Sequence, residues 1–413
     1  MTDKNNTYYN NLPPVILPEY VKTVLERFKE SGTEAYIVGG SVRDSILKIK
    51  ADDYDIATPA LPKQVKEIFK DFKVLETGIK HGTLTVLSQS KPIEITTYRI
   101  DKDYSDSRHP DNVEFTKDID KDLARRDFTI NAVCYSPYRG YYDPLNGIAD
   151  INAEIIKAVG EPEKRFEEDA LRILRGIRFA AVLGFDIDIK THTAILKCKE
   201  LLKNISKERI FSEFKKLLSG NFADTVLNNY FEVLCEGIDT LKKCSGKSFN
   251  FKGIKTLPND TPLKIAWFTA ALGEDFCFAE NLLTELKCDN KTKNFVVSVL
   301  KALNFDIPKN RYDIKKLLNI LEKDIFKYFH ILFALDKVTE NEKNAMEKTA
   351  TEIFKNKECY TIKNLDIKGT DIVSLGADQK TVGQILEKLL DAVMKGACIN
   401  KKANLINFAK NII

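Results

Sequence analysis

Long hydrophobic runs are missing from this 413-residue sequence. The most apolar stretches, such as Ile265 to Leu272, stop far short of the roughly 20 residues that a membrane-spanning helix needs. The first residues, MTDKNNTYYNN, lack the basic-then-apolar layout of a secretory leader, so a cytoplasmic protein with no membrane partner is expected. Histidine is scarce, with only four, and no two cysteines form a C-x-x-C pair, which excludes the common zinc modules. The eight cysteines (Cys134, Cys198, Cys235, Cys244, Cys277, Cys288, Cys359, Cys398) are therefore expected as reduced thiols in helical cores. Internal repeats and low-complexity linkers are also lacking. Charge is nearly balanced, 64 basic against 60 acidic residues, so net charge names no partner. Its distribution is uneven: the first 150 residues are slightly acidic and could hold a divalent metal, and the remainder is basic and could lie along a polyanion. With 43% hydrophobic residues the chain can bury the cores of two to four domains.

Between about Leu17 and Val159 helical and strand periods alternate, which predicts an α+β domain. A helix over Pro18 to Ser31 ends at Gly32. Strands are predicted at Ala35 to Val38, Tyr54 to Ala57, Phe72 to Glu76, Thr83 to Leu87 and Ile93 to Tyr98, forming a small, mostly antiparallel or mixed sheet. Ser41 is placed to cap a helix over Val42 to Lys48. The polar stretch Arg99 to Lys117 has neither period over most of its length and reads as a long loop, a feature that is often functional. After Glu161 the chain reads as consecutive helices, among them Pro162 to Leu183, Lys190 to Lys203, Lys207 to Leu218 and Phe222 to Glu236.

The chemistry concentrates first in Val38-Gly39-Gly40-Ser41-Val42-Arg43-Asp44, followed by Asp53-Tyr54-Asp55. Two glycines between a strand and a helix let the backbone approach a ligand closely, and Arg43 adds a guanidinium suited to phosphate oxygens. Asp53 and Asp55 flank Tyr54 on a strand, so both carboxylates project from one face. Two hard oxygen ligands beside a phosphate cradle suit a pair of Mg²⁺ ions in phosphoryl or nucleotidyl transfer.

This combination resembles the nucleotidyltransferase signature of the DNA polymerase β superfamily, in the form found in class II, the bacterial tRNA nucleotidyltransferase and poly(A) polymerase family. Later segments match the family's further motifs. Arg125-Arg126-Asp127-Phe128-Thr129-Ile130-Asn131-Ala132 looks like its RRDFTINA motif, which implies that Arg126 meets the triphosphate and that Asp127 and Asn131 lie near the ribose. Glu168-Asp169-Ala170-Leu171-Arg172 looks like its EDxxR motif, which implies that Asp169 and Arg172 read the Watson-Crick edge of the incoming base. Asp169, Arg172, Arg175 and Arg178 recur every three residues, a stripe on one helix face whose like-charged arginines call for an anionic or base-edge partner. Lys207 to Leu218 resembles the helix closing the conserved part, with Arg209 and Glu213 spaced to pair. Glu94 is either a third acid near the metals or a support for the polar loop.

The resemblance implies a polymerase-β-like nucleotidyltransferase head (1–159) with a small mixed sheet, then an all-helical neck (160–220), body (221–330) and tail (331–413). It also implies Mg²⁺, CTP, ATP and the tRNA acceptor end as partners. The Glu76 to Thr83 segment and the loop with Tyr104, Asp106, Arg108 and Pro110 look like those of enzymes that add CCA to tRNA. The basic stretch of bacterial poly(A) polymerases is absent, and no His-Asp pair suggests a hydrolase extension. The loop is not shortened as in CC-only enzymes, so addition of A is expected. An A-adding-only enzyme and a catalytically silent RNA-binding relative remain as alternatives, and oligomeric state is left open.

Overall fold

The protein, represented by a computed structural model, is described over residues 8–9, 12–51, 53–102 and 112–413. The chain divides into two compact units, residues 1–222 with 229–245 and residues 223–228 with 246–413.

The first unit is built on an eight-stranded sheet of order β1-β10-β9-β2-β3-β6-β5-β4. Its strands are β1 (Tyr8–Tyr9), β2 (Tyr36–Val38), β3 (Asp55–Thr58), β4 (Lys73–Leu75), β5 (Thr83–Ser88), β6 (Lys91–Thr97), β9 (Cys134–Ser136) and β10 (Gly140–Tyr142). Two further strands, β7 (Arg99–Lys102) and β8 (Asn112–Phe115), pair with each other as an antiparallel ribbon. Within the large sheet β3 and β6 run parallel, and the remaining neighbours are antiparallel. The sheet is therefore mixed, as its alternating hydrophobic pattern predicts, but wider than expected because β1, β9 and β10 join it. All three residues of β2 are buried, in keeping with its place between β3 and β9. The β5–β6 hairpin turns at Gln89 and Ser90, both at positive φ (50° and 63°), the conformation that matches strand twist in a two-residue connection.

Helix α1 (Glu19–Glu30) buries Val21, Val24, Leu25 and Phe28, the i, i+3, i+4, i+7 stripe of an amphipathic helix. Helix α2 (Gly40–Ile46) starts earlier than the sequence suggests. Gly39 at φ 80° occupies the capping position, and Ser41 lies inside the helix with its hydroxyl directed to the Val38 carbonyl. Helices α3 (Pro62–Ile68), α4 (Ile119–Ala124) and α5 (Gly147–Asn152) complete the sheet's surroundings.

The single helix expected over Pro162 to Leu183 is two, α6 (Pro162–Glu168) and α7 (Leu171–Leu183), broken at Asp169 with φ −146° and ψ 99°. The short strands β11 (Ile155–Ile156) and β12 (Asp186–Ile187) pair in parallel, the latter in a region read as wholly helical. Helices α8 (Ile189–Cys198) and α9 (Lys207–Ser219) follow. Helix α10 (Ala223–Gly237) is kinked at Tyr230, and the division between units falls near that kink.

The second unit begins with helices α11 (Thr261–Ala271), α12 (Phe276–Glu285), α13 (Asn290–Ala302), α14 (Arg311–Leu321), α15 (Ile325–Ala334) and α16 (Glu340–Lys355); Trp267 of α11 is buried, and its indole N–H donates to the Ala334 carbonyl at 3.0 Å. Helices α17 (Gly369–Ser374), α18 (Val382–Met394) and α19 (Lys402–Lys410) share a small core that includes Ile372, Leu389, Leu405 and Ala409. No helix among the described residues is long and apolar enough to cross a membrane. All eight cysteines are free; Cys277 is exposed, and Cys134 is buried on a strand rather than in a helical core.

Candidate active site

Strand β3 begins at Asp55, so Asp53 and Tyr54 lie just ahead of it rather than on it as expected, although the in-out alternation of the three residues holds. Tyr54 turns inward, 7% exposed, with its ring edge-on to Tyr20, and the flanking Asp53 and Asp55 are exposed. Parallel pairing places Asp55 opposite Glu94 in register, so these side chains rise from the same face of the sheet. Asp55 is reached by water at its tip but hemmed by protein below. Loss of hydration, then the repulsion of Glu94 and of Asp53, pushes its carboxyl up to about 6 against the pull of Arg126. Among the described residues no group of three or more His, Cys, Asp or Glu side chains closes into a metal cage. Asp53 and Asp55 are instead an open, mutually repelling pair of oxygen donors. That arrangement fits a divalent ion that completes its coordination with substrate oxygens, because such an ion relieves the repulsion.

The turn after β2 brings bare backbone to the same end of the sheet. A Cβ added to Gly39 would lie 3.5 Å from the Arg126 guanidinium, and one added to Gly40 would lie 3.4 Å from that of Arg43. The two arginines differ in how free they are. Arg43 is buried, donating from Nε and Nη2 to Asp44 and from Nη1 to Asn131 Oδ1 at 2.7 Å. Among the described residues Arg126 makes only long contacts, Nη1 to the Asn131 carbonyl at 3.4 Å and Nη2 to Asp122 at 3.5 Å, and its buried Nε has no partner. Of the two, Arg126 has the capacity to take new phosphate oxygens.

Asp127 and Asn131, expected near a ribose, are engaged inside the protein. Asp127 accepts from the Phe128 N–H and from Asn131 Nδ2 on one oxygen, and from Arg175 Nε and Nη2 on the other. Burial alone would raise this carboxyl, but Arg175, Asn131 and the backbone donor outweigh it and hold it at about 2. Arg43, Asn131, Asp127 and Arg175 thus form one hydrogen-bonded chain from α2, through the turn after α4, to α7.

The arginine stripe is real on α7, yet it does not wait for an outside anion. Arg172 pairs with Glu168 at 2.7 Å, Arg175 with Asp127 at 2.6 Å and Arg178 with Glu213 at 2.7 Å. Asp169 is not part of the helical stripe. It sits in the break between α6 and α7, where Oδ1 accepts from the Leu171 N–H and Oδ2 from Arg209 Nη2 at 2.8 Å. Arg209 and Glu213, spaced to pair with each other, each reach α7's side instead, one to Asp169 and the other to Arg178. Arg172 also donates to the carbonyls of Arg165 and Arg125. Its plane is therefore fixed by three acceptors.

The partners Asp122 and Phe179 were not singled out by sequence, and Asp44 and Glu168 stood inside quoted motifs without a role assigned to them. Asp122 is buried at 1% exposure, and its carboxyl, which burial alone would raise, is held low by Arg125 and Arg126; an acid one turn before two arginines is its only sequence sign. Tyr104, Asp106, Arg108 and Pro110 lie outside the described residues, although the flanks of that segment form the β7–β8 ribbon rather than loop.

The poly(A) polymerase head domain family matches residues 35–157, the RNA and SrmB binding site family of polymerase A matches 184–233, and the tRNA nucleotidyltransferase domain 2 family matches 258–409. A CCA-adding enzyme of Ligilactobacillus salivarius is 34% identical, the match covering 94% of this chain and 95% of that one. One of Bacillus mycoides is 33% identical over 93% and 96%. The crystal structure of Bacillus stearothermophilus CCA-adding enzyme in complex with CTP superimposes with a TM-score of 0.81 at 28% identity, covering 96% of this chain and 98% of the other. By this likeness along nearly its whole length, the chain belongs to the CCA-adding enzyme family of tRNA nucleotidyltransferases.

Proposed function

We propose that this protein adds C, C and A to the 3′ end of tRNA, using CTP and ATP, releasing pyrophosphate and copying no nucleic-acid strand. The observation that carries the reading is the placement of Asp53 and Asp55 at the sheet end where Glu94, Arg126 and the Gly39-Gly40 backbone also converge, in a chain of this family. Asp53 and Asp55 are the residues that would hold the divalent ion, taken here as Mg²⁺, which supplies charge neutralisation at the phosphates and acidifies the attacking 3′-hydroxyl. Arg126 receives the triphosphate with its unmet Nε, while Arg43 acts from behind, keeping Asn131 and the glycine turn in place.

Base selection is assigned to Asp169 and Arg172. A carboxylate accepts from the exocyclic amino group that cytosine and adenine share and that uracil and guanine replace with a carbonyl, and a guanidinium donates to the rest of the edge. Each oxygen of Asp169 has a second lone pair beyond its present bond, so the residue can read a base without releasing Arg209. Asp127 is assigned to holding Arg175 and Asn131 rather than to the ribose.

We further propose the division into head (1–159), neck (160–220), body (221–330) and tail (331–413), with the basic later helices following the tRNA acceptor arm by backbone shape, in the cytoplasm. Transcripts ending before CCA, after C and after CC, incubated with each nucleotide and sequenced at the 3′ end, test the reading. Completion of CCA on all three supports it. Addition of A alone to the third shows an A-adding-only enzyme, and no addition anywhere leaves an RNA-binding relative.

A further inference from the structure

Three guanidiniums crowd one aromatic ring. Arg178 lies 3.8 Å from the centroid of Phe179, Arg43 5.1 Å and Arg175 5.6 Å. The ring is 5% exposed and also meets Phe128, edge-on at 5.8 Å, admitted because Gly176 has no Cβ to obstruct it. Each cation also has its own acid, Asp44 for Arg43, Asp127 for Arg175 and Glu213 for Arg178, so the cluster is charge-balanced without any ligand. These acids neutralise the arginines singly. What the three share is the ring, whose negative faces attract cations most strongly where water is excluded.

We propose that Phe179 is a positioning residue for nucleotide selection, holding the guanidinium behind the glycine turn in register with those along the base-reading helix. The inference rests on the proposed nucleotidyl transfer. It adds a physical link between the two halves of the nucleotide site: Arg43 supports the phosphate end through Asn131, while Arg175 and Arg178 fix the helix that carries Arg172. If the ring were core filling only, any side chain of similar volume would serve.

Two replacements separate these roles. Phe179→Leu keeps most of the volume and removes the π-face. Substituting mono-, di- and trifluorophenylalanine at 179 keeps the shape and drains the face stepwise. Calorimetric binding of CTP with Mg²⁺, steady-state incorporation of all four nucleotides and thermal melting are measured on each. The expected result is a progressive loss across the fluorinated series, with CTP and ATP KM rising about tenfold for the trifluoro and Leu forms, while the fluorinated proteins melt close to wild type. Selection against UTP should weaken in the same order. Equal CTP affinity and selectivity throughout the fluorinated series, whatever the Leu form does to melting, overturns the proposal. Wild-type protein that binds CTP but adds nothing to tRNA overturns nucleotidyl transfer instead, and the calorimetric series still decides the role of Phe179.

Discussion

Arg209 Nη2 stands 2.8 Å from Asp169 Oδ2, forty residues away in sequence, and this contact holds the carboxylate in the break between α6 and α7. Asp169 owes its orientation to α9 as much as to its own backbone. Arg209→Ala should therefore resemble Asp169→Ala and Arg172→Ala in relaxing nucleotide choice, admitting UTP or GTP by about 1–3 kcal/mol of lost discrimination. Competition with all four nucleotides measures it. An Arg209→Ala protein that stays folded and as selective as wild type would show that the contact is structural only.

Asp53→Ala and Asp55→Ala should each remove addition of C and of A while leaving tRNA affinity within about twofold, since the proposed reading assigns these acids to the chemistry and the basic helices to binding. Gel shift and radiolabelled incorporation check the two halves separately. Near-normal incorporation with Mg²⁺ by either variant would refute the metal assignment.

Replacing residues 103–111, which join β7 to β8, by a two-residue Asn-Gly turn should preserve the ribbon and two rounds of C addition but abolish the terminal A. Adenine is larger than cytosine, so one pocket can take each in turn only if a neighbouring segment repositions its side chains. The effect should fall on turnover, with ATP affinity little changed. Product-end sequencing gives the answer, and equal loss of C and A would refute a switching role.

Asp127 links acid stability to the site. Its folded carboxyl, held at about 2 despite burial, lies below the ordinary value of 3.8, so it contributes stability at neutral pH that disappears as pH falls from about 4 towards 2. The contribution is on the order of 2 kcal/mol. Asp127→Asn should lose about that much near pH 7 and show a flatter acid limb in urea melts. An unchanged acid limb would mean that Arg175 holds its place without this partner.

Much of the candidate site's geometry could be read because its local rules are strong. The period of two on Asp53-Tyr54-Asp55 fixes a face, and paired glycines after an apolar tripeptide mark a turn. What failed did so for tertiary reasons. Glu168-Asp169-Ala170-Leu171 contains no Gly or Pro, and the helix stops there because Asp169 finds the Leu171 N–H and Arg209. The repulsion expected among Arg172, Arg175 and Arg178 is cancelled by acids from three different segments, two of them distant in sequence. Strands β7 to β10 were hidden by charge and by turn-like residues, their pairing being decided by partners rather than by propensity.

The sheet order also sets a timetable for the growing chain. Strand β2 meets β3 within twenty residues, but its other edge pairs with β9, and β1 must wait for β10. Tyr8 and Tyr9 leave the ribosome on the order of ten seconds before Tyr141 and Tyr142 at ordinary rates of synthesis. From their own synthesis until that of β9, Tyr36, Ile37 and Val38, all buried in the finished sheet, present an open hydrophobic edge. The segment carrying Arg126, Asp127 and Asn131 emerges just before β9, so closing that edge and completing the proposed nucleotide cradle belong to the same late folding event, which gives a half-made chain the greatest need of a chaperone where its candidate site will be.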